Sequence, residues 1–353
     1  PYTTVMAKRQ MPGAEWCPGA MLNYTDQIMK HVDSQPDGDA LIVQSETFGR
    51  KRLSWSELRA QVASVAAHLR DMGVTKGDRV VAVLPNTETA MIAFLATASI
   101  GAIWSLCAPD MGHVAILDRF KQIEPKVLIA QDGYVHAGKT VDRREILAGL
   151  EAALPSLVQC VTVPFVGDLP KGHMAWDSLL DRDAPYESTQ VPFDHPLWIV
   201  YSSGTTGNPK PIVHGHGGII LESAKQSLHH DLRRGGRYCW LTSSGWIMWN
   251  SQFTALGQGT TVAMFDGAPN YPDMGVIWRF VADEKLDFFG AGAAFFSGCM
   301  KAGLTPRDEV DLSALRSLGS TGSPLSSDAY DWIYAQVKQD VWLAPISGGT
   351  DLA

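Results

Sequence analysis

Short apolar runs alternate with amphipathic stretches along the whole chain. Residues 80–84 are continuously apolar and end at Pro85-Asn86, which predicts a buried strand. Residues 126–130 and 158–163 read the same way, as do 197–201, 238–242, 260–265, 287–290, 315–320 and 341–346. Between them, helical spacing predicts helices near 24–32, 89–99, 115–122, 218–232, 251–256, 275–284, 293–302 and 327–337. Ser54-Trp55-Ser56-Glu57 is a capping box that opens a further helix. Its apolar face is Leu58, Val62, Val65, Ala66 and Leu69, and Gly73 ends it. Strands that alternate with helices predict an α/β fold of two subdomains, each a mostly parallel sheet flanked by helices. The expected division is an N-terminal extension (1–35), a first subdomain with a Pro-, Gly- and Asp-rich connector (36–194), and a second subdomain (195–353).

The bulk numbers narrow the partners. The length suits about two or three compact units. Apolar residues make up 45% and charged residues 19%, as in an ordinary globular protein. The net charge is −8 and no long Lys/Arg run occurs, which argues against nucleic acid and anionic membranes as partners. No signal peptide is expected, and no run of about twenty apolar residues occurs. Cys17, Cys107, Cys160, Cys239 and Cys299 are scattered and form no C-x-x-C pair, so a reducing, cytoplasmic setting is expected. The chain opens on Pro1 without a methionine and reads as a piece of a longer protein. Nothing in the pattern bears on oligomeric state.

One stretch concentrates candidate chemistry: Tyr201-Ser202-Ser203-Gly204-Thr205-Thr206-Gly207-Asn208-Pro209-Lys210. It joins the apolar run Leu197-Trp198-Ile199-Val200 to a second one, Pro211-Ile212-Val213-His214, which reads as a strand. Glycines allow consecutive N–H groups to converge on an anion, the hydroxyls add donors, and Lys210 adds charge. The loop therefore suits a polyanion such as a nucleotide triphosphate. It is not a Walker A loop, because Gly204 and Gly207 are three apart, Lys210 follows Pro209, and Pro211 occupies the Ser/Thr position. A plain hydrophilic hairpin turn has the same composition. His214-Gly215-His216 and His229-His230 lack the i, i+4 spacing and the Cys partners of a metal site, and read as structural or exposed.

Residues 201–210 resemble the signature loop of the adenylate-forming superfamily, which includes acyl-CoA synthetases, luciferases and peptide-synthetase adenylation domains. The likeness covers nearly the whole chain and implies the N-terminal core of an adenylate-forming enzyme. It is nearest to the acetoacetyl-type branch of the acyl-CoA synthetases. The segments that carry the branch are 16–24 (W-C-P-G-A-M-L-N-Y), 77–86 (G-D-R-V-V-A-V-L-P-N), 101–110, 117–126 (L-D-R-F-K-Q-I-E-P-K), 214–222 (H-G-H-G-G-I-I-L-E), 245–250 (G-W-I-M-W-N), 320–325 (S-T-G-S-P-L) and 347–351 (S-G-G-T-D).

The resemblance implies a two-step ligase that uses ATP, Mg²⁺ and CoA to activate a small carboxylate. By this likeness Ser202, Ser203, Gly204, Thr205, Thr206, Gly207 and Lys210 hold the β- and γ-phosphates, with Lys210 as a catalytic charge. Thr350 and Asp351 match a Thr-Glu pair, so Thr350 and Gly349 would meet the α-phosphate and Asp351 would ligate Mg²⁺. Gly322, Ser323 and Pro324 match the segment against adenine, although acetyl-CoA synthetases carry glutamate at the position of Ser323. Arg119 lies in a stretch that approaches CoA in relatives; an exposed helix arginine is the plain alternative.

For the acid, acetyl-CoA synthetases close the pocket with a tryptophan where Gly348 stands. Removing an indole opens space for several heavy atoms. Trp246, Ile247 and Met248 would form apolar walls, and Thr321, a valine in acetyl-CoA synthetases, could donate to a substrate carbonyl. A short 3-oxo acid such as acetoacetate fits. Plain helical core packing of Trp246 and Trp249, another short acid (propionate, butyrate or a hydroxy acid), and an inactive nucleotide-binding fragment all stay open. In the superfamily a ribose-binding aspartate, a hinge and a lysine-bearing C-terminal domain follow the Thr-Glu pair, so residues 1–353 alone are expected to turn over little.

Overall fold

The computed structural model describes residues 2–202 and 207–351. Two seven-stranded sheets share one plan: six parallel strands and an antiparallel seventh at one edge. The first sheet runs in the order Met174–Ala175, Gln159–Val163, Val127–Gln131, Arg79–Val83, Ile103–Cys107, Pro196–Ser202, Lys210–Gly215, the last pair antiparallel. The second runs Trp342–Pro345, Ser317–Thr321, Phe288–Gly292, Arg237–Trp240, Thr261–Asp266, Asp39–Ser45, Gly49–Ser54, again closing on an antiparallel pair. This is the expected α/β class.

The sheets do not follow the division at residues 194 and 195. Pro196–Ser202 and Lys210–Gly215 complete the first sheet, while Asp39–Ser45 and Gly49–Ser54 complete the second. The physical reason is burial. Ala40, Leu41, Ile42 and Val43 are apolar on both faces and need a central position, which the second sheet supplies beside Thr261–Asp266.

Strand alternation sorts side chains into an inner and an outer core. Leu41, Val43, Val80, Ala82, Val262 and Met264 face one shared interior. Their neighbours Val81 and Val83 face a second cluster, and Ile42, Ala263 and Phe265 a third. Helix Glu88–Ser99 lies in the shared interior, and all its residues are buried. Such a helix must be apolar or small on every side, and Ala90, Ala93, Ala96 and Ala98 let its neighbours approach closely. Phe94 gathers Tyr24, Trp104, Trp198, Trp249 and Phe253 around itself.

The expected capping box at Ser54 is present with both reciprocal bonds, and its helix runs Trp55–Asp71. Gly73 follows it at φ +78°, a left-handed conformation that suits glycine. Hairpin Gly133–His136 with Lys139–Asp142 and helix Arg144–Ala153 fill what the pattern left as a polar stretch. In the second sheet Trp240 lies flat on two glycines: a Cβ at Gly290 or Gly319 would come within 2.1 or 2.6 Å of its ring. Buried Glu284 fixes the edge hairpin through Arg50 at 2.9 Å and Arg52 at 2.5 Å.

Candidate active site

The hydroxyl- and glycine-rich loop is the tip of an antiparallel hairpin. Its register runs Ser202↔Lys210, Tyr201↔Pro211, Val200↔Ile212, Ile199↔Val213 and Trp198↔His214. The strand after the loop, Lys210–Gly215, is the one expected from residues 211–214. Ser203, Gly204, Thr205 and Thr206 lie outside the described residues. Gly207 has φ +145° with open space at its Cβ position, a backbone that side chains rarely adopt. Ser202 is half-buried and Lys210 is exposed.

Both feet of the loop are tied to helix His113–Phe120 and the turn after it. Tyr201 Oη donates to Arg119 O at 2.9 Å, and Gln122 Nε2 donates to Pro209 O at 3.0 Å. Burial pushes the Tyr201 phenol up, so it remains a donor. The Arg119 guanidinium sits over the Tyr201 ring at 5.5 Å and donates to Ala115 O at 2.6 Å.

Beneath the loop is a cavity of about 100 Å³. Trp104, Leu106 and Cys107 line it from one strand, Trp198 to Tyr201 from the next, and Ser244 to Ile247 with Asn250 from the second half. Met111, Arg119 and Thr350 complete it. Burial pushes the Cys107 thiol up to about 12, so it is an inert wall group.

The apolar segment 246–249 divides its duties. Trp246 is the N-cap of helix Ile247–Leu256; it and Ile247 face the cavity. Trp249 is fully buried against Phe94 and Phe253, and Met248 packs on the same core without lining the cavity. Trp249 thus packs in the core, and Trp246 lines the cavity. Gly322, at φ +88°, has its Cβ position 3.8 Å from the Trp246 ring, so the segment expected at adenine abuts the cavity wall. Ser323 and Pro324 beside it are exposed.

The Thr321 hydroxyl donates to Ile346 O at 2.8 Å. Its proton is therefore engaged by the backbone and does not point to a substrate carbonyl. Gly348 and Gly349 are exposed, with nothing within 4 Å of a Cβ at either. Neither lines the cavity.

His214, expected to be structural or exposed, lies outside the cavity lining and ties Trp198 to the backbone of Asp351. Its Nδ1 accepts from Trp198 Nε1 at 2.8 Å, and Nε2 lies 3.2 Å from Asp351 O. The tryptophan N–H fixes the tautomer, so Nε2–H is the donor to Asp351. Burial pushes the His214 pKa down, which keeps the ring neutral. Counting cross-strand pairs back from the loop would have found it, since 198 and 214 are equidistant from the tip. Of the other histidines in the two pairs, His229 is exposed and the other two are structural. His216 Nδ1 accepts from Tyr24 N at 3.0 Å, and His230 packs on Phe288.

The comparisons with known proteins are consistent with this geometry. The family model described as AMP-binding enzyme matches residues 28–348. Acetoacetyl-coenzyme A synthetase of Rhizobium meliloti (strain 1021) is 41% identical over 97% of this chain and 53% of its own length. Acetoacetyl-CoA synthetase of Gallus gallus is 38% identical over 96% of this chain and 52% of its own. The solved acetoacetyl-CoA synthetase from Streptomyces lividans superposes with a TM-score of 0.97 at 46% identity, covering 99% of this chain and 55% of that one. The chain spans about half the length of the curated relatives it matches. Among the described residues no helix is long and apolar enough to cross a membrane.

Proposed function

Because this chain belongs to the AMP-binding enzyme family, we propose that the protein carrying it is an ATP-dependent acid–thiol ligase acting on acetoacetate. The carboxylate oxygen attacks the α-phosphorus of ATP. A new P–O bond forms, the bond to pyrophosphate breaks, and an acyl-adenylate remains. The CoA sulfur then bonds to the acyl carbon, its proton leaves to solvent, and AMP departs with the acyl C–O electron pair.

The observation that carries this reading is the small cavity at the foot of the loop, with apolar Trp246 and Ile247 on one side and Thr350 and Arg119 also in its wall. Trp246 and Ile247 would hold the acid's carbon chain and exclude water. Ser202, Ser203, Gly204, Thr205, Thr206, Gly207 and Lys210 would receive the β- and γ-phosphates, where charge develops as pyrophosphate leaves. Gly349 and Thr350 would meet the α-phosphate, and Gly322, Ser323 and Pro324 the adenine. Exposed Asp351 offers the single hard carboxylate oxygen that Mg²⁺ takes together with substrate phosphates and waters. Mg²⁺ bound there would neutralise phosphate charge. Arg119 is the candidate for the CoA nucleotide. Gly348 carries no side chain that could close over the acid from outside the cavity, so it would not restrict the site to acetate. Five unpaired thiols support a reducing, cytoplasmic setting.

One observation favours a second reading. With the Thr321 proton held by Ile346 O, the site has lost the donor that would single out a 3-oxo group, and a plain short acid such as butyrate would fit as well. Pyrophosphate release by the full-length protein across acetate, propionate, butyrate, 3-hydroxybutyrate and acetoacetate decides between them. Acetoacetate is expected to give the highest kcat/KM. An equal or higher value for butyrate selects the second reading, and acetate in first place removes the argument from Gly348.

A further inference from the structure

Among the described residues, one group of three potential metal ligands stands close together: Glu151, Cys160 and His173. It lies at the opposite edge of the first sheet from the loop hairpin, so it is separate from the candidate active site. Parallel pairing of Val161 with Met174 carries His173 alongside Cys160 at the sheet edge. Glu151 reaches over from the last turn of helix Arg144–Ala153.

The ligand atoms all lie within 4.8 Å of one another, and His173 Nε2 is 3.0 Å from Glu151 Oε2. A zinc ion with bonds of about 2.0–2.3 Å holds tetrahedral ligand atoms roughly 3.3–3.8 Å apart. The three atoms therefore need only small side-chain adjustments to surround one ion. Cys160 is buried, whereas the Glu151 side chain is about half exposed (47%) and gives an ion a path from solvent.

The ring of His173 is already oriented from behind. Thr162 Oγ1 lies 2.7 Å from His173 Nδ1. Thr162 is two residues from Cys160 on the same strand face, so one strand supplies both a ligand and its support. A hydroxyl can donate or accept. It thus suits both the present arrangement, with Nε2–H toward Glu151, and the metal-bound one, with the proton on Nδ1 and the Nε2 lone pair free.

From this arrangement we propose that Glu151, Cys160 and His173 bind a zinc ion that pins the connector after residue 163 to the sheet and to helix Arg144–Ala153. One thiolate, one imidazole and one carboxylate form a mixed set that zinc favours over the hard ions Mg²⁺ and Ca²⁺. Binding releases the Cys160 thiol proton to solvent, shifts the His173 proton from Nε2 to Nδ1, and leaves a fourth position for water. No redox step is involved.

Cobalt titration of the chelator-stripped chain tests the site. The wild-type chain should bind one equivalent and show a thiolate-to-cobalt charge-transfer band that zinc then displaces. Cys160→Ser should abolish the band, His173→Ala and Glu151→Gln should weaken binding, and Thr162→Val should weaken it about tenfold through the supporting bond. Cys17→Ser should change nothing. A wild-type chain without the band, a band that survives Cys160→Ser, or one lost in Cys17→Ser overturns the proposal. Should Cys160→Ser fail to fold by circular dichroism, zinc-edge anomalous scattering from zinc-soaked wild-type crystals takes its place. A peak bonded to Cys160 Sγ, His173 Nε2 and the Glu151 carboxylate supports the site, and no peak there refutes it.

Discussion

Trp198 and Gly348 have opposite surroundings. Trp198 is buried, packs on Phe94 with ring centroids 5.6 Å apart, and donates to His214. Gly348 is exposed, with no atom within 4 Å of its Cβ position. The same contrast separates the inner wall (Trp104, Trp198, Trp246) from the rim (Lys210, Ser323, Pro324, Gly349). The wall takes its shape from the core that both sheets share, so it stands ready before any substrate arrives. The rim is mostly backbone and exposed groups, with little core behind it. Substitutions in the wall and the core behind it should therefore register as stability, and substitutions in the rim as chemistry.

The largest effect is expected at the rim. Lys210→Ala in the full-length protein should cut pyrophosphate release by about 10²–10³-fold, roughly 3–4 kcal/mol of transition-state stabilisation, with an unchanged Tm. A matching fall in Tm would erase the distinction. Next comes the core: Gly290→Ala drives a methyl into the Trp240 ring and should cost about 3 kcal/mol, read by urea denaturation. If stability holds, the second sheet is softer than its packing implies.

Asp266 sharpens the same point through pH. Burial pushes its carboxyl up to about 6, although Ser45 Oγ donates to it at 2.7 Å. A raised carboxyl pKa means that the folded state binds the proton more tightly than the unfolded one. Its contribution is thus fully present below the unfolded value near 4 and is lost as pH rises to about 6. Asp266→Asn should stabilise the chain at pH 7.5 relative to pH 4 by on the order of 2 kcal/mol. A pH-independent difference between variant and wild type would show that burial does not control this group.

Trp198→Phe keeps the ring contact with Phe94 but deletes the N–H to His214, and should cost about 1 kcal/mol in denaturant unfolding. The smallest stability effect belongs to Gly348→Trp, within about 0.5 kcal/mol, because the position is open. Its signature is in substrate choice, where kcat/KM should move from acetoacetate toward acetate. An unchanged acid profile would mean that the wall alone sets acid length.

Much of the fold was legible because strand and helix periodicity report burial. Helix Glu88–Ser99, the Ser54 capping box and most parallel strands follow directly from it. Asp39–Ser45 was harder, since its partner Thr261–Asp266 lies far along the chain and pairing leaves no local mark. At the site, Trp246 and Ile247 were legible from their apolar segment, and Thr350 through its likeness to a Thr-Glu pair. The bond from Thr321 to Ile346 O was not, because a hydroxyl's partner depends on which backbone oxygen the fold brings to it. The bond from Trp198 to His214 was not legible from local spacing either. It follows from hairpin register, which pairs 198 with 214 across the loop.

The exchange of edge strands between the two sheets also bears on how the chain is made. The Thr261 hydroxyl donates to Asp39 O, a contact that spans 222 residues. At ribosomal rates of about 5–20 residues per second, Asp39–Ser45 must wait roughly 10–45 s for its neighbour. During that interval an apolar strand buried on both faces in the finished protein has only its hairpin partner Gly49–Ser54, and its other edge stays open. Long-range pairing of this kind slows folding and exposes strand edges, so newly made chains should depend on chaperone shelter until Thr261–Asp266 has emerged.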